Sequence, residues 1–298
     1  MNTPENTSTR QITIDRYNGV SSTHFSDILS VEEPLEIRVH YGTSSNRQQK
    51  NISVTMRTPG NDPELAAGFL FTEGIISSYS EVKDIYHGGM ACQLQKENII
   101  IIELSEDAIP NLMQTDRNFY TTSSCGVCGK SSIQSIRTIS PFFQAKRPEL
   151  NIPVHVLYQL PKQLKAAQSG FSKTGGIHAA GLFTLDGKPL FIREDVGRHN
   201  ALDKLIGTAL KCNLLPLNRH ILLLSGRASF ELIQKAAMAG ISIVAAIGAP
   251  SSLAVELAVE FNITLIGFLK EDRFNIYNCN ECISMPTHNK MGHGKRRT

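Results

Sequence analysis

Tryptophan is absent from this chain. The loss of the largest side chain does not preclude a core, because hydrophobic residues still fill 41% of 298 positions. A chain of that length accommodates two modest domains, or one large domain with an appendage. Net charge is also nearly absent. The formal value of +3 is too small to point to nucleic acid, though it leaves room for a local anion site. Long apolar runs are missing: the longest, such as 241–249, reach about half the length that spans a bilayer, so no membrane segment is expected. Met1 to Arg10 is polar and lacks the apolar stretch of a secretory signal. Cysteine is scarce, and six in 298 residues do not make a disulfide scaffold. Together these features point to the cytoplasm, where thiols stay reduced.

The cysteines that are present are not scattered. Four form two Cys-x-x-Cys pairs, Cys125/Cys128 and Cys279/Cys282. The first sits in Ser123-Ser124-Cys125-Gly126-Val127-Cys128-Gly129-Lys130, with glycine after each thiol and no large apolar anchor. Such a pair can bind a metal, cycle as a disulfide or carry sulfur as a persulfide. The thiolate is the reactive form, and a cation such as Lys130 favours it. Gly126 and Gly129 free the backbone and clear space for a large partner. Cys92 and Cys212 stand alone and read as small buried apolar residues.

In the first half, Leu35–Tyr41 alternates apolar and polar residues, and Ile52–Arg57 does so more loosely. A polar turn between them predicts a hairpin. Asp62 is placed to cap a helix beginning at Pro63 and ending near Gly74. Asn98–Leu104 predicts another strand, and Val154–Ser169 a helix. From Ile177 the pattern sharpens. Ile177–Leu185 and Pro189–Arg193 predict a hairpin around Asp186-Gly187. His199–Leu210 predicts a helix, with Asn200 and Asp203 at capping-box spacing. Strands Ile221–Leu224, Ile241–Ile247 and Ile263–Phe268 then alternate with helices Ser229–Ala239 and Ser252–Glu260. Apolar strands alternating with short helices predict βαβ units and a parallel sheet.

Ligands of such sheets sit beyond the carboxyl ends of the strands. Here those ends are Ser225-Gly226-Arg227, Gly248–Ser252 and Gly267–Arg273. The first two lead into helix N-termini, whose free N–H groups favour anions. Arg227, Lys270 and Arg273 add donors suited to phosphate, and Phe268 could stack on a base. Glu194-Asp195-Val196-Gly197-Arg198-His199 is a dense polar cluster, either a salt-bridge patch or a site. His178 fits a core histidine as well as a functional one.

Laid in order, these segments resemble the formate dehydrogenase accessory sulfurtransferase (FdhD-type) family. The motifs are Leu65–Leu70 with Glu73–Ile76, Cys125–Gly129, Thr174–Ala180, Glu194–Lys204, Ser225–Glu231 and Asn262–Phe268. Together they span roughly 35–275; Cys125–Gly129 alone is a weak signal, but combined with the run from Glu194 to Lys204 it is highly specific. The resemblance implies a sulfurtransferase that takes persulfide sulfur from a cysteine desulfurase. It would pass this sulfur to the bis(molybdopterin guanine dinucleotide) molybdenum cofactor, its bound substrate, before that cofactor enters formate dehydrogenase. Cys125 matches the persulfide-bearing cysteine and Cys128 its partner. Phe268, Leu269, Lys270, Glu271, Asp272 and Arg273 match the cofactor-binding stretch, beside Arg227, and GDP should serve as an analogue.

The resemblance also implies a homodimer and an α/β fold. A three-layer αβα C-terminal domain with a largely parallel, cytidine-deaminase-like sheet would cover 136–285. A smaller α+β domain would cover 1–120, a mobile cysteine loop 121–135 and a basic tail 286–298. Deaminase chemistry itself needs a His-x-Glu and a Pro-Cys-x-x-Cys element. His178-Ala179-Ala180 lacks the Glu and no Pro-Cys-x-x-Cys follows, so deamination is not expected. A second reading, of a different class, is a non-catalytic nucleotide- or cofactor-binding chaperone whose Cys-x-x-Cys pairs hold structural zinc.

Overall fold

The computed structural model describes residues 8–88, 97–112, 140–142, 149–279 and 282–284. Cys92, the Cys125/Cys128 loop with Lys130, and the basic tail lie outside the described residues. The chain opens with an antiparallel hairpin, β1 (Thr9–Asn18) and β2 (Ser21–Ser30), whose side chains are largely exposed. Ser30 Oγ fastens its end to Thr174 Oγ1 at 2.9 Å. The predicted second hairpin follows as β3 (Glu33–Tyr41) and β4 (Gln48–Arg57). Helix α1 (Asp62–Thr72) comes next, then β5 (Val82–His87) and β6 (Ile99–Leu104). These strands form a four-stranded sheet in the order β4-β3-β6-β5. The alternation in β3 turns Leu35, Ile37 and Val39 inward.

The described residues from Ile152 onward build the larger sheet and a separate two-stranded one. The chain runs through β7 (Ile152–Pro153), α2 (Val154–Ala167) and α3 (Ser169–Thr174). Hairpin strands β8 (His178–Thr184) and β9 (Pro189–Asp195) precede α4 (Arg198–Lys211) and β10 (His220–Leu224). Then come α5 (Phe230–Met238), β11 (Ile243–Ala246), α6 (Ser252–Glu260), β12 (Thr264–Gly267), β13 (Asn275–Asn278) and β14 (Ile283–Ser284). The six-stranded order is β13-β12-β11-β10-β8-β9, and the two-stranded sheet is β14-β7. The expectation of a largely parallel sheet is corrected here. Only β10, β11 and β12 run parallel, while β8, β9 and β13 join through antiparallel pairings. The hairpin turns at both flanks reverse the chain without a crossover helix, and an antiparallel pairing is the outcome.

Both faces of this sheet are covered, so its central strands are apolar throughout. Leu222 and Leu224 face α4, α5 and α6, whereas Ile221 and Leu223 face α2. The first of these cores continues without a break through α1 into the four-stranded sheet. Helices α1 and α4 therefore lie between the two sheets, and they cross backbone to backbone. A Cβ at Gly68 would fall 1.9 Å from the Asp203 carbonyl oxygen, and one at Gly207 1.9 Å from that of Glu64.

Two capping expectations are corrected. Asn61, in a left-handed conformation, is the residue before α1, and it makes no side-chain cap. Asp62 instead pairs with the fully buried Arg57 at 3.0 Å. At α4 the cap residue is Gly197. Asn200 donates to the Met56 carbonyl at 2.7 Å, and Asp203 pairs with Lys235 at 3.0 Å. Cys212, expected in the core, is exposed just past the end of α4.

Candidate functional site at the carboxyl rim of the sheet

The antiparallel strands gather motifs that are far apart in sequence. Because β8 runs against β10, its first residue, His178, sits at the same edge as the carboxyl end of β10, with Ala180 opposite Leu224. Because β9 runs against β8, Asp195 falls opposite His178. The carboxyl ends of β9, β10, β11 and β12 and the start of β8 thus make one rim.

The three rim loops are laced together through their backbones. The Gly248 N–H donates to the Gly226 carbonyl at 2.9 Å, and the Phe268 N–H donates to the Gly248 carbonyl at 3.1 Å. Ser225 Oγ accepts from the Ala179 N–H at 2.8 Å and ties the β10 loop to β8. Glycine is required for this approach. A Cβ at Gly248 would meet the Arg227 backbone at 3.0 Å, and one at Gly267 would meet Pro250 at 2.8 Å and Tyr277 at 2.9 Å. At the start of α6 the Ser251 side chain caps the Ala254 N–H at 3.2 Å. No acidic residue lies in the first turn of α6, whereas α5 has Glu231 there.

Arg227 is exposed on this rim. Phe268 has φ 52°, a left-handed value that few bulky residues adopt. The residue is 43% exposed. Leu269, next in sequence, is turned fully into the core among Ile266 and Leu223. Lys270, Glu271, Asp272 and Arg273 are exposed in the turn to β13, which the Lys270 N–H closes onto the Arg273 carbonyl at 2.8 Å. Their two positive and two negative charges cancel, so this turn brings no excess charge to an anion.

The excess comes from Arg227 and from two residues whose role the sequence left undecided, Arg198 and His199. His178 lies under Gly226, where a Cβ would stand 3.4 Å from its ring. Its pKa is pushed below the usual histidine value, first by burial and then by the positive charges of Arg198, His199 and Arg227, with Asp195 opposing. Four cationic or potentially cationic groups therefore crowd one corner of the rim. His199 is partly neutralised by Glu231 at 2.8 Å, and this contact holds the Glu231 carboxyl below its usual range. Arg198 Nε is buried and has no hydrogen-bond partner among the described residues. The acids of the same motif are spoken for. Glu194 accepts from the Gly170 and Phe171 N–H groups at 2.8 and 2.9 Å, and Asp195 is buried against Lys204 at 2.7 Å. Such a corner can hold an anion, and an exposed aromatic residue lies on the same rim.

Among the described residues no group of three or more His, Cys, Asp or Glu could hold a metal ion. No described helix is long and apolar enough to cross a membrane. Cys125 and Cys128 fall outside the described residues, so their distance from the rim is not part of this geometry.

Known proteins place the chain. A protein 51% identical over 253 residues, covering 84% of this chain and 90% of its own, is the sulfur carrier protein FdhD of Mycolicibacterium paratuberculosis. The protein of the same name from Picrophilus torridus is 43% identical over 256 residues, covering 85% of this chain and 90% of its own. The crystal structure of a candidate formate dehydrogenase accessory protein from Desulfotalea psychrophila shares the fold, with a TM-score of 0.69 at 21% identity over 93% of this chain and 99% of that one. The model of the FdhD/NarQ family matches residues 30–284, and the chain belongs to that family.

Proposed function

We propose that this chain is a sulfur carrier that serves formate dehydrogenase. In this reading Cys125 attacks the terminal sulfur of a cysteine desulfurase persulfide. A new S–S bond forms on Cys125 and the desulfurase thiolate leaves. The carried sulfur then goes to the bis(molybdopterin guanine dinucleotide) molybdenum cofactor, held as substrate at the rim, with Cys128 as the partner thiol. The observation that carries the reading is the 51% identity, across nine-tenths of its length, to a curated sulfur carrier protein. The rim supports it independently. Arg227, Arg198 and His178 suit the phosphates of a guanine dinucleotide, and Phe268 suits its base. Leu269 contributes packing beneath that stretch rather than a contact. The working unit is a cytoplasmic homodimer with a cytidine-deaminase-like C-terminal domain.

The test is intact-mass analysis after incubation with a cysteine desulfurase and cysteine, followed by peptide mapping. One added sulfur on Cys125, lost in Cys125→Ala, is expected. GDP binding to the same protein should weaken roughly tenfold in Arg227→Ala, the scale of one charged hydrogen bond. A protein that gains no sulfur at Cys125, or binds GDP equally well as Arg227→Ala and Arg273→Ala, sinks the corresponding half of the proposal.

A further inference from the structure

The second Cys-x-x-Cys pair takes no part in the rim. Cys282 lies beside Thr264, the first residue of β12, whereas the rim lies beyond Gly267, its last. The pair thus occupies the opposite end of that strand. The two thiols are unlike. Cys279 is exposed, whereas Cys282 is 4% exposed and packs among Ile152, Leu157 and Ile266. Both ends of the motif are pinned. Asn278, just before Cys279, donates to the carbonyls of Ala258 and Ile263 at 3.2 and 2.7 Å. The Cys282 carbonyl accepts from the Ile152 N–H at 2.7 Å, where β14 pairs with β7. The Cys282 sulfur lies 3.2 Å from Thr264 Oγ1.

We propose that Cys279 and Cys282 form a dithiol–disulfide site in which exposed Cys279 attacks first and buried Cys282 resolves. The co-reactant is a low-molecular-weight disulfide of the glutathione class. The Cys279 thiolate attacks one of its sulfurs, forming a mixed disulfide and releasing one small thiolate. Cys282 then loses its proton to the released thiolate or solvent and attacks the Cys279 sulfur. The Cys279–Cys282 bond forms and the second small thiol departs. The protein loses two electrons and two protons, and the small disulfide gains them.

The order of attack follows from access and charge. Burial, and secondarily Cys279, push the Cys282 thiol above its usual pKa, with the Thr264 hydroxyl opposing. Cys282 therefore waits as a protonated thiol until a mixed disulfide forms beside it. The bond would clasp the end of β13 to the β7–β14 ladder. This inference does not depend on the proposed sulfur-carrier function.

Trypsin separates the two thiol pairs, because 118–130 and 274–290 are distinct peptides. Wild-type protein treated with oxidised glutathione should yield 274–290 with an internal disulfide, two hydrogens lighter. Cys212, exposed and alone, should keep its mixed disulfide and mark the difference. In Cys282→Ser the mixed disulfide should persist on Cys279, and in Cys279→Ser the buried thiol should stay unmodified. Wild-type Cys279 that accumulates mixed disulfide as Cys212 does would overturn the proposal, even if neither variant folds. So would stoichiometric zinc in the purified protein that is lost in Cys279→Ser.

Discussion

His178 feels the charge of the rim. Its imidazole is held neutral by burial and by three positive neighbours, so its folded pKa lies below the 6.5 of an unperturbed histidine. The unfolded chain therefore takes up a proton first as pH falls, and the slope of stability with pH is positive there. The contribution is complete above about 6.5 and is lost progressively as pH falls toward the folded value. The thermal midpoint should thus drop on acidification through this window, and His178→Gln should flatten the drop. Some slope will persist, because His220 is also depressed by burial and Glu231 by His199. A variant whose slope matches wild type would mean that the imidazole titrates freely and that the crowding of cations is wrong. In the sequence alone His178 had no rank over a core histidine. Its strand pattern is apolar in either case; the pairing of β8 with β9 brings Arg198 and His199 to it, and the pairing with β10 brings Arg227.

Helices α1 and α4 meet at two glycines, and the close crossing leaves no room for a methyl group. Gly207→Ala should therefore destabilise the protein by about 1–3 kcal/mol, by overpacking rather than by any loss of helix propensity. Urea denaturation measures this, and a variant as stable as wild type would mean that the helices can slide apart at no cost. The existence of most elements was legible. The periodicity located Ser252–Glu260 at its observed bounds, and the βαβ run from β10 to β12 followed from apolar strands with short helices between them. The caps were not legible. A carboxylate or amide at capping distance looks the same whether it meets its own helix or a buried cation from elsewhere, as Asp62 and Asp203 do. Strand direction was illegible for a similar reason. The β8–β9 turn was plain in sequence, but nothing in β8 itself says that it will lie against β10 rather than farther along the sheet.

At the scale of the whole molecule, buried ion pairs stitch the two sheets together. The Lys204 ammonium bridges Asp195 and the Thr58 carbonyl, and the Thr58 N–H returns to the same carboxylate at 3.1 Å. The Lys235 ammonium gathers Thr72 at 2.9 Å and both Glu73 and Asp203 at 3.0 Å. Thr72 and Glu73 come from the α1 side, whereas Asp203 and Lys235 come from the α4 and α5 side. Burial alone would lower the lysine pKa, but the two carboxylates outweigh it and hold the ammonium above its usual value. Burial raises the Asp203 pKa despite the attraction of Lys235, the mark of a carboxylate that depends on its partner. Removing the cation alone strands that carboxylate between the sheets. Lys235→Met should therefore cost about 3–5 kcal/mol, the scale of a broken buried pair. The double variant Lys235→Met/Asp203→Leu removes the buried orphan and leaves only Glu73, which reaches solvent, without its lysine, so it should recover part of the loss. Equilibrium unfolding of the two variants decides the matter. If the double variant is less stable than the single, Asp203 stabilises the junction through Thr72 and its own packing, and the ion pair is not what joins the sheets.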